Sequence, residues 1–98
     1  YSNAENFYND CIIMTKQLVA SSKDDLQIQD SLARYFTNRG YFYSQIKEFE
    51  KGEKDYIEAI AMREKLVLIC DDEIEYYKER LQHVKDLQLS MYKAWGKK

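Results

Sequence analysis

Apolar side chains recur every three or four positions along most of this chain, and polar clusters interrupt the recurrence at only a few places. Tyr8, Cys11, Ile12, Leu18 and Val19 form one such row, and Ile28, Leu32, Tyr35, Phe36, Tyr43 and Ile46 a second. Another row, Ile74, Tyr77, Leu81, Val84, Leu87, Met91 and Trp95, runs almost to the end. A period near 3.6 places each row on one face of a helix, so the spacing predicts four helices over about 4–20, 25–46, 50–70 and 72–95. Ser21-Ser22-Lys23-Asp24-Asp25 and Asp71-Asp72 mark the starts of the second and fourth helices. Carboxylates at such positions cap free amide groups and favour the positive end of the helix dipole. There is no proline, and three glycines are too few to break long helices. The fold class is therefore all-α, with 98 residues forming one domain of antiparallel helix–turn–helix units.

Small and aromatic residues in the middle of the chain are spaced in a second, more specific way. From Phe36, Arg39 and Gly40 follow at three and four residues, Tyr43 after three more, then Gly52, Tyr56 four later and Ala59 three after that. Two antiparallel helices approach closely where a small side chain meets a large one, with Gly40, Gly52 and Ala59 as holes and Phe36, Tyr43 and Tyr56 as knobs. The spacing resembles that of the tetratricopeptide repeat (TPR) family. Arg39 stands where the family prefers leucine, and Glu64 where it has a closing proline, so nothing stops the third helix until about Cys70. The phrase from Ala59 to Leu66, AIAMREKL, also resembles the ending of long-helix variants of the family.

A shift of 48 residues sets 4–19 against 52–67, pairing Glu5 with Glu53, Tyr8 with Tyr56, Ile12 with Ile60, Met14 with Met62 and Leu18 with Leu66. The period exceeds the family's usual 34 or so by about 14 residues, roughly two extra turns in each helix of a pair. On this register the resemblance implies a TPR-like α-solenoid section made of half a repeat (4–20), a whole one (25–70) and another half (72–95). Such a section belongs to a longer array, or its open ends meet other copies. Ser2-Asn3-Ala4 resembles what tag removal leaves behind, which fits an excised section.

Fifteen Lys and Arg against seventeen Asp and Glu give a net charge of −2, and the basic residues are scattered. Nucleic acid is not an expected partner, because phosphate contacts supply most of that affinity. No stretch approaches the roughly 20 apolar residues of a membrane span. Cys11 and Cys70 stand singly, without metal-site or redox spacing, and fit a reducing, cytoplasmic compartment. His83 is the only histidine and has no evident catalytic companions. No phosphate loop, nucleophile elbow or metal-spaced histidine pair occurs, so no enzyme activity, metal or cofactor is expected.

In the TPR family the concave groove is lined by the first helix of each pair. The resemblance implies that Arg34, Thr37, Asn38, Tyr41 and Gln45 line it here, with Gln82, Lys85, Asp86, Leu89 and Lys93 as their counterparts on the last helix. An asparagine can hold a peptide backbone by its donor and its acceptor, an arginine can meet a carboxylate, and a tyrosine offers flat apolar area with a polar tip. The expected function is a scaffold that binds a protein or peptide segment as the sensing or adaptor part of a larger protein. The alternative is a structural, self-associating bundle whose end helices pair with another copy, burying Leu89, Met91 and Trp95.

Overall fold

The computed structural model describes residues 2–97 and folds into four helices, α1 (Ser2–Ser21), α2 (Leu26–Gln45), α3 (Phe49–Ile69) and α4 (Ile74–Trp95), with no strand among the described residues. Each helix runs antiparallel to the one before it: Glu5 and Asn9 of α1 meet Tyr43 and Arg39 of α2. Asp30 and Arg39 of α2 meet Arg63 and Asp55 of α3, and Phe49 of α3 stacks on Trp95 of α4. Because α1 packs on α2 alone while α2 touches both α3 and α4, the helices zigzag, with α2 and α4 side by side and α3 behind them.

Helix ends follow local chemistry. Asp25 sits in an extended conformation and its Oδ1 accepts from the amides of Gln27 and Ile28 at 3.0 and 3.2 Å, a side-chain cap for α2. The expected cap at Asp71-Asp72 is not made. The residue before α4 is Glu73, whose ψ of 37° lies outside the extended region that aims a side chain at the first amides, and no side-chain cap forms. The α2–α3 turn places Lys47 at φ 63°, a left-handed position usually given to glycine. At the far end Gly96 takes that role (φ 79°), and the Lys97 amide donates back to the Tyr92 carbonyl at 3.0 Å.

The knobs and holes meet as the spacing requires. Phe36, Tyr43, Tyr56 and Ala59 are buried, as are Gly40 and Gly52. A Cβ on Gly40 would lie 2.9 Å from Tyr56 Cε1 and 3.3 Å from Asp55 Cβ. One on Gly52 would meet Met91 Sδ at 2.9 Å and the Gly40 carbonyl at 3.2 Å. Gly52 thus lets α3 touch α2 and α4 at the same level. Arg39 is bidentate to Asp55 (2.7 and 2.8 Å) and reaches Asn9 Oδ1 at 2.8 Å, so one guanidinium joins three helices. That hydrogen bond to Asp55 is the first cause of its raised pKa.

The surface expected for self-association on α4 is largely spent within the chain. Met91 is buried in the core, and Trp95 is half-buried between Phe49 and Tyr92, which leaves Leu89 exposed. Apolar surface is also left open on α1, where Phe7, Met14 and Leu18 are more than half exposed. Of the residues 48 positions on, Asp55 and Leu66 are buried and Met62 is partly so, because α3 has α2 against that flank, whereas no described helix lies against α1 there.

The junctions α1–α2 and α3–α4 use the same device. Tyr43 Oη donates to Glu5 at 2.7 Å, and Tyr92 Oη donates to Glu53 at 2.7 Å. Burial first, and then the carboxylate partner, pushes both phenols up to about 12. In the unfolded chain a phenol titrates near pH 10, so the folded state holds these protons longer. The stability they contribute is complete below about pH 10 and is lost as pH rises towards about 12, at up to roughly 1.4 kcal/mol per pH unit for each phenol. Urea midpoints at pH 9, 10 and 11 should therefore fall, and Tyr43→Phe with Tyr92→Phe should flatten the fall.

Candidate functional site

Because α2 and α4 lie side by side over α3, their facing flanks enclose a trough. Arg34, Thr37, Asn38, Tyr41 and Gln45 are three or four residues apart or adjacent, which puts them on one flank of α2, and all five line it. The first part, about 180 Å³, is bounded by Arg34, Thr37 and Asn38 on α2, Arg80 and His83 on α4, and Arg63 on α3. The next, about 270 Å³, shares Thr37, Asn38 and His83 and adds Tyr41 and Leu87. The last, about 90 Å³, shares Tyr41 and Leu87 and runs past Gln45, Tyr56, Met91 and Ala94. Shared walls make these one continuous trough. From Arg34 to Gln45 the rise of α2 is about 16 Å, the length of roughly five extended residues.

The five α2 residues expected in the groove are thus brought together, but their counterparts on α4 are not. None of Gln82, Lys85, Asp86, Leu89 and Lys93 lines the trough; Arg80, His83, Leu87, Ser90 and Ala94 do so instead. The 48-residue shift itself explains the difference. Residues equivalent by a 48-residue shift face in equivalent directions, so the α4 set turns towards where a following unit would lie. The wall that closes this trough is the other flank of α4, about a third of a turn away. Its signal was present in the sequence as the row Arg80, His83, Leu87, Ser90 and Ala94, beside the core row of Val84 and Met91.

The two ends differ in chemistry. At one end Asp30 is nearly saturated: it accepts from Arg63, from Arg34 at 3.2 Å and from Tyr76 Oη at 3.1 Å. Arg80 lies over the Tyr76 ring, 5.5 Å from its centre. Arg63 is 2% exposed, yet its Nε has no hydrogen-bond partner among the described residues. At the other end Tyr56 is wholly buried and its Oη makes no hydrogen bond of full geometry among the described residues; the neighbouring Ser44 hydroxyl donates to the Tyr41 carbonyl at 2.8 Å, and its oxygen remains the closest acceptor for the phenol. Burial raises the pKa of that phenol, which keeps it a neutral donor. Thr37, in the trough wall, satisfies its own hydroxyl on the Ala33 carbonyl at 2.8 Å.

Elsewhere, Cys11 and Cys70 are free thiols on separate parts of the fold. Among the described residues no helix is long and apolar enough to cross a membrane, and no cluster of His, Cys, Asp and Glu has the makings of a metal site. Compared with models of protein families, with curated proteins and with solved structures, the chain matches none of them.

Proposed function

We propose that this chain is a non-enzymatic, TPR-like scaffold whose α2–α4 trough binds an extended segment of another protein or a peptide. What supports the reading most is one coincidence. The two buried side-chain groups that lack hydrogen-bond partners among the described residues, Arg63 Nε and Tyr56 Oη, belong to residues lining the same trough as the five α2 residues. An unsatisfied buried polar group costs about 1–3 kcal/mol, and native structures carry few of them. Both atoms are covered by the lining side chains, so a peptide backbone would reach them only as the lining opens, whereas Asn38, exposed on the wall, offers it both a donor and an acceptor directly. A reducing, cytoplasmic setting suits the two free thiols.

The test uses a peptide selected on the purified chain from a random library, titrated by fluorescence anisotropy. Asn38→Ala and Arg34→Ala should each weaken it about tenfold, the equivalent of about 1.4 kcal/mol. Ala61→Glu, on the exposed outer side of α3, should leave it unchanged. Equal affinity for the parent chain, Asn38→Ala and Arg34→Ala would remove the trough from the account.

A further inference from the structure

We infer that the chain pairs with a second copy of itself through α1, the two α1 helices lying antiparallel about a two-fold axis. No α1 residue lines the trough, so this inference stands apart from the peptide-binding reading.

The first observation is a seam. Ala4, Phe7, Cys11, Met14, Leu18 and Ser21 are spaced alternately by three and four residues, the spacing of the a and d positions of a coiled coil, and so share one face of α1. Cys11 is half-buried and the other five are exposed. A different face, which carries the buried Ile12 and Thr15, packs against α2. On α3 the positions 48 residues further on are Gly52, Asp55, Ala59, Met62 and Leu66, and all but Met62 are buried on the side that meets α2. That face of α3 therefore holds a helix. On α1 no described helix covers it.

The second observation is what the seam fits. Laid antiparallel on its own image, it sets Phe7 against the partner's Leu18, Cys11 against the partner's Met14 and Ala4 against the partner's Ser21. The larger side chains fill the central layers and the small ones close the ends. Of the flanking positions Asn3, Tyr8, Asp10, Thr15, Gln17 and Ser22, Asp10 alone carries charge, so two copies bring no run of like charges together. The opposite end of the fold limits the pairing to two copies. Along α4, Glu75, Glu79, Gln82, Asp86, Leu89 and Lys93 form a stripe of the same spacing, exposed throughout, in which Leu89 is the one apolar side chain. A polar end face is what stops a solenoid from adding units. Because α1 alone of the two end helices presents an apolar stripe, copies join like to like and give a closed dimer rather than a head-to-tail chain. A seam rising about 25 Å along one helix per partner buries less than the roughly 800 Å² of a standard interface, so association in the micromolar range is expected.

The test is sedimentation velocity under reducing conditions, at chain concentrations from about 10 to about 500 µM. The mass should rise from that of one 11.8 kDa chain towards that of two. Phe7→Glu and Met14→Glu, both at exposed positions, should each weaken the dimer at least tenfold, and Leu89→Glu on α4 should leave it unchanged. For the direction of pairing, Phe7→Cys and Leu18→Cys are each made on a Cys11→Ser, Cys70→Ser background, mixed, and oxidised with glutathione disulfide. Disulfides should join position 7 of one chain to position 18 of another in preference to 7 with 7 or 18 with 18. Those variants place a thiol at an exposed site, so misfolding of either glutamate variant would not obscure the outcome. A monomer at every concentration would overturn the inference and leave the seam to a helix of another protein, and a dimer that survives both glutamate substitutions in α1 would overturn it as well. Disulfides of 7 with 7 and 18 with 18 alone would overturn the antiparallel arrangement.

Discussion

Asp55→Ala should cost about 3–5 kcal/mol of stability, a large share of the roughly 5–15 kcal/mol that holds a domain of this kind together. Asp55 is 3% exposed and receives two hydrogen bonds from Arg39, whose third goes to Asn9. Its removal strips the guanidinium of the carboxylate that holds it by two hydrogen bonds at a point where α1, α2 and α3 meet. Breaking one side of a buried pair is costly because the remaining charge stays desolvated, whereas replacing both sides with apolar groups is often neutral. Arg39→Leu together with Asp55→Leu should therefore recover most of the loss. Urea unfolding of the parent, both single variants and the double variant gives the comparison. A loss below about 1 kcal/mol for Asp55→Ala would mean that the Arg39–Asp55 pair contributes no more than an exposed ion pair does.

Gly40→Val should lose about 3 kcal/mol, and the reason lies in the nesting of α2 against α3. Even a single Cβ meets the Tyr56 ring at 2.9 and 3.0 Å, and that ring is fully buried. Alanine at this position gains up to about 1 kcal/mol of helix propensity, which offsets part of an overpacking cost of about 1–3 kcal/mol. Valine adds two methyl groups and loses propensity as well. Gly52→Ala should be milder, at about 1 kcal/mol or somewhat more, since the Met91 thioether at 2.9 Å can shift while the Gly40 carbonyl at 3.2 Å must give by a few tenths of an ångström. Thermal unfolding should rank the variants Gly40→Val, Gly40→Ala, Gly52→Ala from most to least destabilised. Gly40→Val should also disturb the trough, because displacing Tyr56 moves part of its lining.

Much of this architecture was legible in the sequence. With no proline and few glycines, the apolar rows had to belong to long helices, and the expected bounds differ from the observed ones by at most two residues. The pairing of Gly40 with Tyr56 could be read from spacing because close helix contact demands a small residue opposite a large one. The five α2 residues came from the family resemblance, and the structure sets them along one flank of α2. What escaped was chemistry that depends on three helices at once. Asp30 lies 33 residues from Arg63 and 46 from Tyr76, and no local pattern announces that they meet. The α4 wall was missed because translating α2 onto α4 selects the flank facing a following unit, whereas a trough between two parallel neighbours uses opposite flanks. The α2–α3 turn carries no glycine, so its left-handed Lys47 had no marker. Met91 and Trp95 read as an open end because their partners, Gly52 and Phe49, lie on a different helix.

The most direct measurement is an NMR amide map of the chain titrated with the selected peptide. The account predicts that the largest shifts fall on Arg34, Thr37, Asn38, Tyr41 and Gln45 and on His83 and Leu87 across from them, while Ile13 and Met14 on α1 and Leu68 on α3 stay where they are. Shifts confined to α1 or to the outer side of α3 would contradict it, because the peptide would then be bound on a surface other than the α2–α4 trough.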